Sequence, residues 1–150
     1  MSLTEQGMCF FDLSVSCGDP NLCGKILDKE WEYRCRLRHS QYEVILCTGI
    51  ANESMKSECY FNGAEIKKDE SICKKLPDQN YRGYCMSNVA RLTGRRTICG
   101  QITKQNMREF CFAVADRDLR ICENIIDDDL RVKCVEWASA DSIKSRLKKA

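Results

Sequence analysis

Residues 71–85 read "SICKKLPDQNYRGYC", in which Cys73 and Cys85 enclose eleven residues. Leu76 follows the first cysteine by three, Tyr81 precedes the second by four, and Asp78 lies between them. The arrangement occurs five times, in "CGKILDKEWEYRC", "CTGIANESMKSEC", "CKKLPDQNYRGYC", "CGQITKQNMREFC" and "CENIIDDDLRVKC", starting at Cys23, Cys47, Cys73, Cys99 and Cys122. The aliphatic position holds Ile26, Ile50, Leu76, Ile102 and Ile125; the large apolar position holds Trp31, Met55, Tyr81, Met107 and Leu130. Asp28, Asn52, Asp78 and Asp127 occupy the middle, with Lys104 the exception. The starts are 24, 26, 26 and 23 residues apart, so the chain is an internal repeat.

Each feature has a physical reason. Residues three or four apart share one helical face, which sets every cysteine beside an apolar neighbour. Asp or Asn in the middle suits a helix N-cap, since its side chain accepts from the first free backbone amides. The segment therefore reads as the end of one helix, a tight turn and the start of the next. Both cysteines then face the groove between the helices, where a disulfide spans at most about 7 Å between Cα atoms. The interval from Cys35 to Cys47 is also twelve, but Arg38 stands at the aliphatic position and Ser40 at the cap. The pairs expected are Cys23–Cys35, Cys47–Cys59, Cys73–Cys85, Cys99–Cys111 and Cys122–Cys134, leaving Cys9 and Cys17 to pair by elimination.

Beyond each second cysteine the chain stays helical, as in "CMSNVARL", "CFAVADR" and "CVEWASA". A loop follows, marked by Asn62-Gly63, Gly94 or Asp116, and a short helix leads into the next unit. Asp19, Asp69 and Asp118 each stand four residues before a first cysteine, again at a cap. The expected fold is all-α, an α-solenoid-like array of short helical hairpins stapled by disulfides. It forms a single domain, with a repeat array over about 19–140, an N-terminal cap over 1–18 and a C-terminal helix end over 141–150. The stretch 8–17 carries enough aromatic and β-branched character to be extended instead. A helix of two or three turns is marginal alone. Each staple across so short a loop adds about 2–3 kcal/mol by restricting the unfolded chain, offsetting a thin core and implying a thermostable protein.

With this pattern in view, the chain resembles disulfide-stapled helical repeat proteins. It is distantly similar to cysteine-rich Sel1-like repeats, from which it departs in shorter units and longer cysteine spacing. It is more similar to cysteine-paired helical repeats of uncharacterised archaeal surface proteins, through "C-x2-[IL]-x-[DN]" and the downstream "NVA" and "AVA". The resemblance implies an extracellular α-repeat and no particular activity.

Composition narrows the function. Net charge is +2 with 31% charged residues, so no global field draws the chain to nucleic acid or an anionic membrane. No apolar run is long enough for a membrane span. Twelve cysteines read as a disulfide framework in an exported chain. "MSLTEQGMCFFDLSVSC" has no signal-peptide pattern, so an extracellular or cell-surface location requires a signal or anchor outside this sequence. The cytoplasm of a hyperthermophile is the alternative.

Catalytic and metal chemistry find little support. His39, the single histidine, reads as a solvated helical residue among arginines. There is no Cys-x-x-Cys, and zinc ligands normally stand two to four residues apart, against six or more here. "DDD" at 127–129 lacks the alternating ligands and glycine of a calcium loop and reads as a cap. No enzyme, cofactor or metal is therefore expected. An enzyme would need a pocket in which acids such as Asp116, Asp118 and Glu123 converge.

Basic residues cluster at Arg34, Arg36 and Arg38, at Arg91, Arg95 and Arg96, and at Lys144, Arg146, Lys148 and Lys149. Arg91, Arg95 and Arg96, in "ARLTGRR", form the densest internal cluster and the candidate binding residues. The expected function is a non-enzymatic interaction or cell-envelope structural module, its partner a protein or envelope component. Polyanion or nucleic-acid binding through the arginines is the alternative.

Overall fold

The computed structural model describes residues 1–39 and 41–149, with 140–149 as helical backbone alone. Ser40 and the side chains of Lys144, Arg146, Lys148 and Lys149 lie outside the described residues. Everything described is helix, turn or connecting coil, with no strand among the described residues. The chain divides into two compact units, Met1–Ile66 and Lys67–Ala150.

The first unit holds α1 (Leu3–Cys17), a 3-10 helix (Pro20–Lys25), α2 (Lys29–Arg38), a second 3-10 helix (Val44–Gly49) and most of α3 (Glu53–Lys67). The second holds a 3-10 helix (Ile72–Lys75), α4 (Gln79–Thr93), a further 3-10 helix (Arg96–Gln101), α5 (Gln105–Asp116), the one-turn α6 (Leu119–Cys122) and α7 (Asp128–Lys149). Each repeat is a long helix reached from a short one.

The joint between them recurs. In the first four repeats the short helix carries the first cysteine and ends on the aliphatic residue, whose extended backbone returns its N–H to that cysteine's carbonyl at 3.1–3.3 Å; in the fifth, α6 ends on Glu123 and Ile125 makes the same bond to Cys122 at 3.1 Å. Ile26, Ile50, Leu76, Ile102 and Ile125 are all buried, three of them at 1% exposure or less. Asp28, Asn52, Asp78 and Asp127 then cap the long helices, accepting from backbone amides at 2.7 to 3.2 Å. Asp19, Asp69 and Asp118 likewise accept from the amides two residues on. Bonds from Ser71 hold the Asp69 carboxyl below its ordinary pKa, and the Arg120 side chain does the same for Asp118.

Bridges join Cys23–Cys35, Cys47–Cys59, Cys73–Cys85, Cys99–Cys111 and Cys122–Cys134, with Cα separations of 5.4 to 5.7 Å. The expected Cys9–Cys17 bridge is not formed: both are exposed free thiols. Both sit on α1, and eight residues of helix separate their Cα atoms by about 12 Å, beyond the span of a disulfide. The stretch 8–17 is helical rather than extended. A capping box between Ser2 and Glu5 starts α1, and Gly18, at φ 64°, ends it.

Successive long helices meet through a glycine and a large side chain 24 residues later. A Cβ on Gly7 would lie 2.7 Å from the Cβ of Trp31, and one on Gly83 would lie 2.3 Å from Cγ of Met107. Trp31 and Met107 are the large apolar residues of their repeats, and absence of a side chain on the facing helix seats them. In the first unit Phe11 stacks edge-on against Trp31 at 5.6 Å. In the second, Tyr84, Phe110 and Trp137 form a triad with centroids 5.3–5.7 Å apart. Such pairs add about 0.5–1.5 kcal/mol beyond area burial.

Two outcomes test this construction. Complete reduction should collapse helicity, since no short loop or thin core then restrains the chain, whereas a chelator should leave the fold intact; circular dichroism with thiol counting decides. Gly83→Ala should destabilise by about 1–3 kcal/mol through overpacking on Met107. In a Met107→Ala background the same change should stabilise, by up to about 1 kcal/mol, because only the helix-propensity gain remains. Denaturant midpoints of the four proteins measure the reversal.

Candidate binding groove

The extended residues between short and long helices recur on α4, α5 and α7, and in the second unit they are clamped. Arg82 Nε donates to the Leu76 carbonyl at 3.1 Å, Arg108 to that of Ile102 at 3.1 Å, and Arg131 to that of Ile125 at 2.9 Å. Each arginine lies three residues before the second cysteine of its repeat, where the first two repeats have Glu32 and Lys56. The clamp holds a buried-end carbonyl that neither helix satisfies. Sequence reading missed these three residues, although their identical spacing was the available signal.

The clamped joints are tied to one another by amide side chains. Gln79 donates to Thr103 Oγ1 at 3.1 Å, Lys104 Nζ donates to Asn80 Oδ1 at 3.0 Å, and the Ile126 amide donates to Asn106 Oδ1 at 3.4 Å. Two hollows open along this edge. One of about 120 Å³ is lined by Gln79, Arg82, Met86, Gln101 and Thr103 among others. Its neighbour, of about 440 Å³, is lined by Asn80, Gln105, Asn106, Ile126, Asp127 and Leu130. Lys104 and Met107 line both, so the two hollows adjoin along this edge and are together called the groove.

At its centre α5 begins without a side-chain cap, because Lys104 replaces the Asp or Asn of the other repeats and turns its ammonium toward Asn80. First-turn amides of α5 therefore lack the acceptor found on α4 and α7. Ile126 is 84% exposed at one end. The groove thus combines neutral amides, the Lys104 ammonium, the Arg82 guanidinium, the Asp127 carboxylate, one uncapped helix start and an exposed aliphatic side chain.

The arginines singled out in the sequence lie elsewhere and are engaged. Arg91 donates to Asn88 at 2.7 Å. Arg95 donates to the Lys68 carbonyl at 2.9 Å and to Glu70 at 3.0 Å. Arg96 pairs with Asp116 at 3.0 Å and lies over the Phe112 ring at 4.9 Å. Their charge is largely answered within the fold. The acids Asp116, Asp118 and Glu123 do not converge either: Asp116 is held by Arg96 and Asp118 by Arg120 at 2.9 Å, while Glu123 is exposed at the end of α6.

His39 is not the solvated residue expected. It is half-buried at the end of α2, with Nε2 3.2 Å from Ser14 Oγ. Ser14 is fully buried and its hydroxyl donates to the Phe11 carbonyl at 2.7 Å, so it offers no accessible nucleophile. Cys23, Cys35 and His39 bring their ligand atoms within 4.8 Å of one another. The two sulfurs are bonded to each other, so the thiolates that a metal would take are absent. Among the described residues, no helix is long and apolar enough to cross a membrane. No protein-family model, curated protein or solved structure matches the chain.

Proposed function

We propose that the protein is a non-enzymatic interaction module of an oxidising compartment, at the cell surface or outside the cell, whose groove takes an extended segment of a partner protein. The observation that carries this is the row of amide side chains along a groove of stapled, arginine-clamped joints. Asn and Gln offer both donors and acceptors, which matches the alternating N–H and C=O groups of an extended backbone. Ile126 and Met107 supply apolar seats for alternate side chains. Lys104 and the uncapped start of α5 favour an acidic residue or a carboxy terminus between those seats. A stapled scaffold forgoes little conformational freedom on binding, so a modest groove retains affinity. The resemblance of the cysteine pattern to stapled repeats of archaeal surface proteins accords with this reading, as do five disulfides, which suit an oxidising environment. Polyanion binding draws less support, since Arg95 and Arg96 already have acidic partners.

Selection of random peptides on the immobilised protein tests the reading. Enriched peptides should carry a shared acidic residue flanked by apolar ones. Asn80→Ala with Asn106→Ala, or Ile126→Glu alone, should weaken their binding about tenfold or more. Absence of enrichment, or peptides whose binding ignores all three substitutions, would refute it.

A further inference from the structure

The second repeat departs from the others at two positions that the fold does not use. The long helix is capped by a carboxylate at Asp28, Asp78 and Asp127, and two residues beyond each cap stand Glu30, Asn80 and Asp129; the fourth repeat has Lys104 and Asn106. In the second repeat the cap is the amide Asn52, and the residue two beyond is the hydroxyl-bearing Ser54. Capping asks for neither change. Asp and Asn cap about equally well, and a carboxylate also answers the positive end of the helix, which a neutral amide does not. Oδ1 of Asn52 accepts from the Met55 amide at 3.0 Å, as an aspartate oxygen would. Nδ2, the group that distinguishes the amide, has no hydrogen-bond partner among the described residues, and neither has the Ser54 hydroxyl. The chain holds seven asparagines, yet only at Asn52-Glu53-Ser54 does a serine or threonine follow two residues on. Ala51, Asn52, Glu53 and Ser54 are all exposed, and Asn52 stands in coil just ahead of α3.

We propose that Asn52 is an N-glycosylation site. Nδ2 attacks the anomeric carbon of a glycan carried on a polyprenyl phosphate donor. The carbon–oxygen bond to the phosphate breaks as the carbon–nitrogen bond forms. The lipid phosphate leaves with the bonding pair, and one amide proton passes to base, so no oxidant or reductant is needed. The Ser54 hydroxyl completes the signal that sets this asparagine apart from the other six. The product keeps one N–H on Nδ2 and leaves Oδ1 untouched, so the bond to the Met55 amide that starts α3 survives. Asn52 lies within the Cys47–Cys59 loop, between the buried Ile50 and the buried Cys59, but is itself exposed. A glycan there stands clear of the core that closes around the bridge. Being bulky and solubilising, it gives this joint to solvent, whereas joints of the second unit line a groove. The inference rests on the reading of an exported chain, because the lipid-linked donor is met on that side of the membrane.

The test is mass spectrometry of a non-reduced tryptic digest of the chain isolated from the organism that makes it. Peptide 39–56 carries Cys47 and Asn52 and peptide 57–67 carries Cys59, so one linked pair reports bridge and glycan together. The expected product is that pair with the bridge closed and its mass raised by whole sugar residues, localised to Asn52 by fragmentation. Asn52→Asp, returned to the same organism, should lose the glycan and keep helicity and all five bridges, because the cap remains. Ser54→Ala should lose the glycan as well, and Ser54→Thr should keep it. Five closed bridges with Asn52 unmodified would overturn this inference and leave the compartment reading standing. Free thiols at the ten bridged cysteines would overturn that reading and this inference with it. A glycan that persists in Ser54→Ala, or one found only on chains with Cys47–Cys59 open, would also overturn the proposal.

Discussion

The constraint on which the rest depends is a bridge between residues twelve apart that pins a short helix to the first turns of a long one. Pinning alone would leave the connection between them loose. The aliphatic residue three places along fixes it: Ile26, Ile50, Leu76 and Ile102 are buried with the backbone extended at the same point each time, and Ile125 is buried at the same place in the fifth repeat. The Asp or Asn cap then starts the long helix at a fixed distance from the bridge. Sulfur, aliphatic side chain and cap act in series, although at α5 the bridge and the joint at Ile102 form without a side-chain cap. A hydrophobic residue in place of either cysteine would preserve burial but return to the unfolded chain the freedom that the bridge removes, about 2–3 kcal/mol per loop.

How far this could be read in advance varies along the chain. The five pairs, the four caps and the all-helical fold followed from spacing, because bridging, capping and helical faces are local and leave a period in the sequence. The pairing of Cys9 with Cys17 failed because elimination assumes that every cysteine finds its partner within the chain. The distance of fourteen from Cys9 to Cys23 was the better guide, since it sets Cys9 in the frame of Cys59 and Cys85. His39 was misjudged for a different reason. Its neighbours in sequence are arginines, but its neighbour in space is Ser14, 25 residues away. The groove was out of reach altogether, because its lining comes from the joints of three repeats: Gln79 and Asn80 from the third, Gln101, Gln105 and Asn106 from the fourth, and Ile126, Asp127 and Leu130 from the fifth.

The arginines show how one residue type divides into roles by position. Arg82, Arg108 and Arg131 stand three before a bridged cysteine and turn back to an extended carbonyl, so they are part of the joint. Arg95 and Arg96 follow a left-handed Gly94 and reach carboxylates 25 and 20 residues away, fastening the loop between repeats. Their side chains are 47% and 61% exposed, where a single ion pair contributes at most about 1 kcal/mol. Two arginines of a cluster that looks like a binding patch in sequence thus also space the helices, through ion pairs with Glu70 and Asp116.

Stapling also explains why such a chain tolerates the apolar face of α1. A fold held mainly by its core cannot leave a face bare at one end without losing a large share of the burial that keeps it folded. Here the joints are restrained through the unfolded state, so burial at α1 is not what holds the neighbouring repeat together. Ser14 and Gly7 still lock the inner side of α1 to α2 through His39 and Trp31, which keeps the outer row of Cys9, Leu13 and Cys17 rigid and presented as one line.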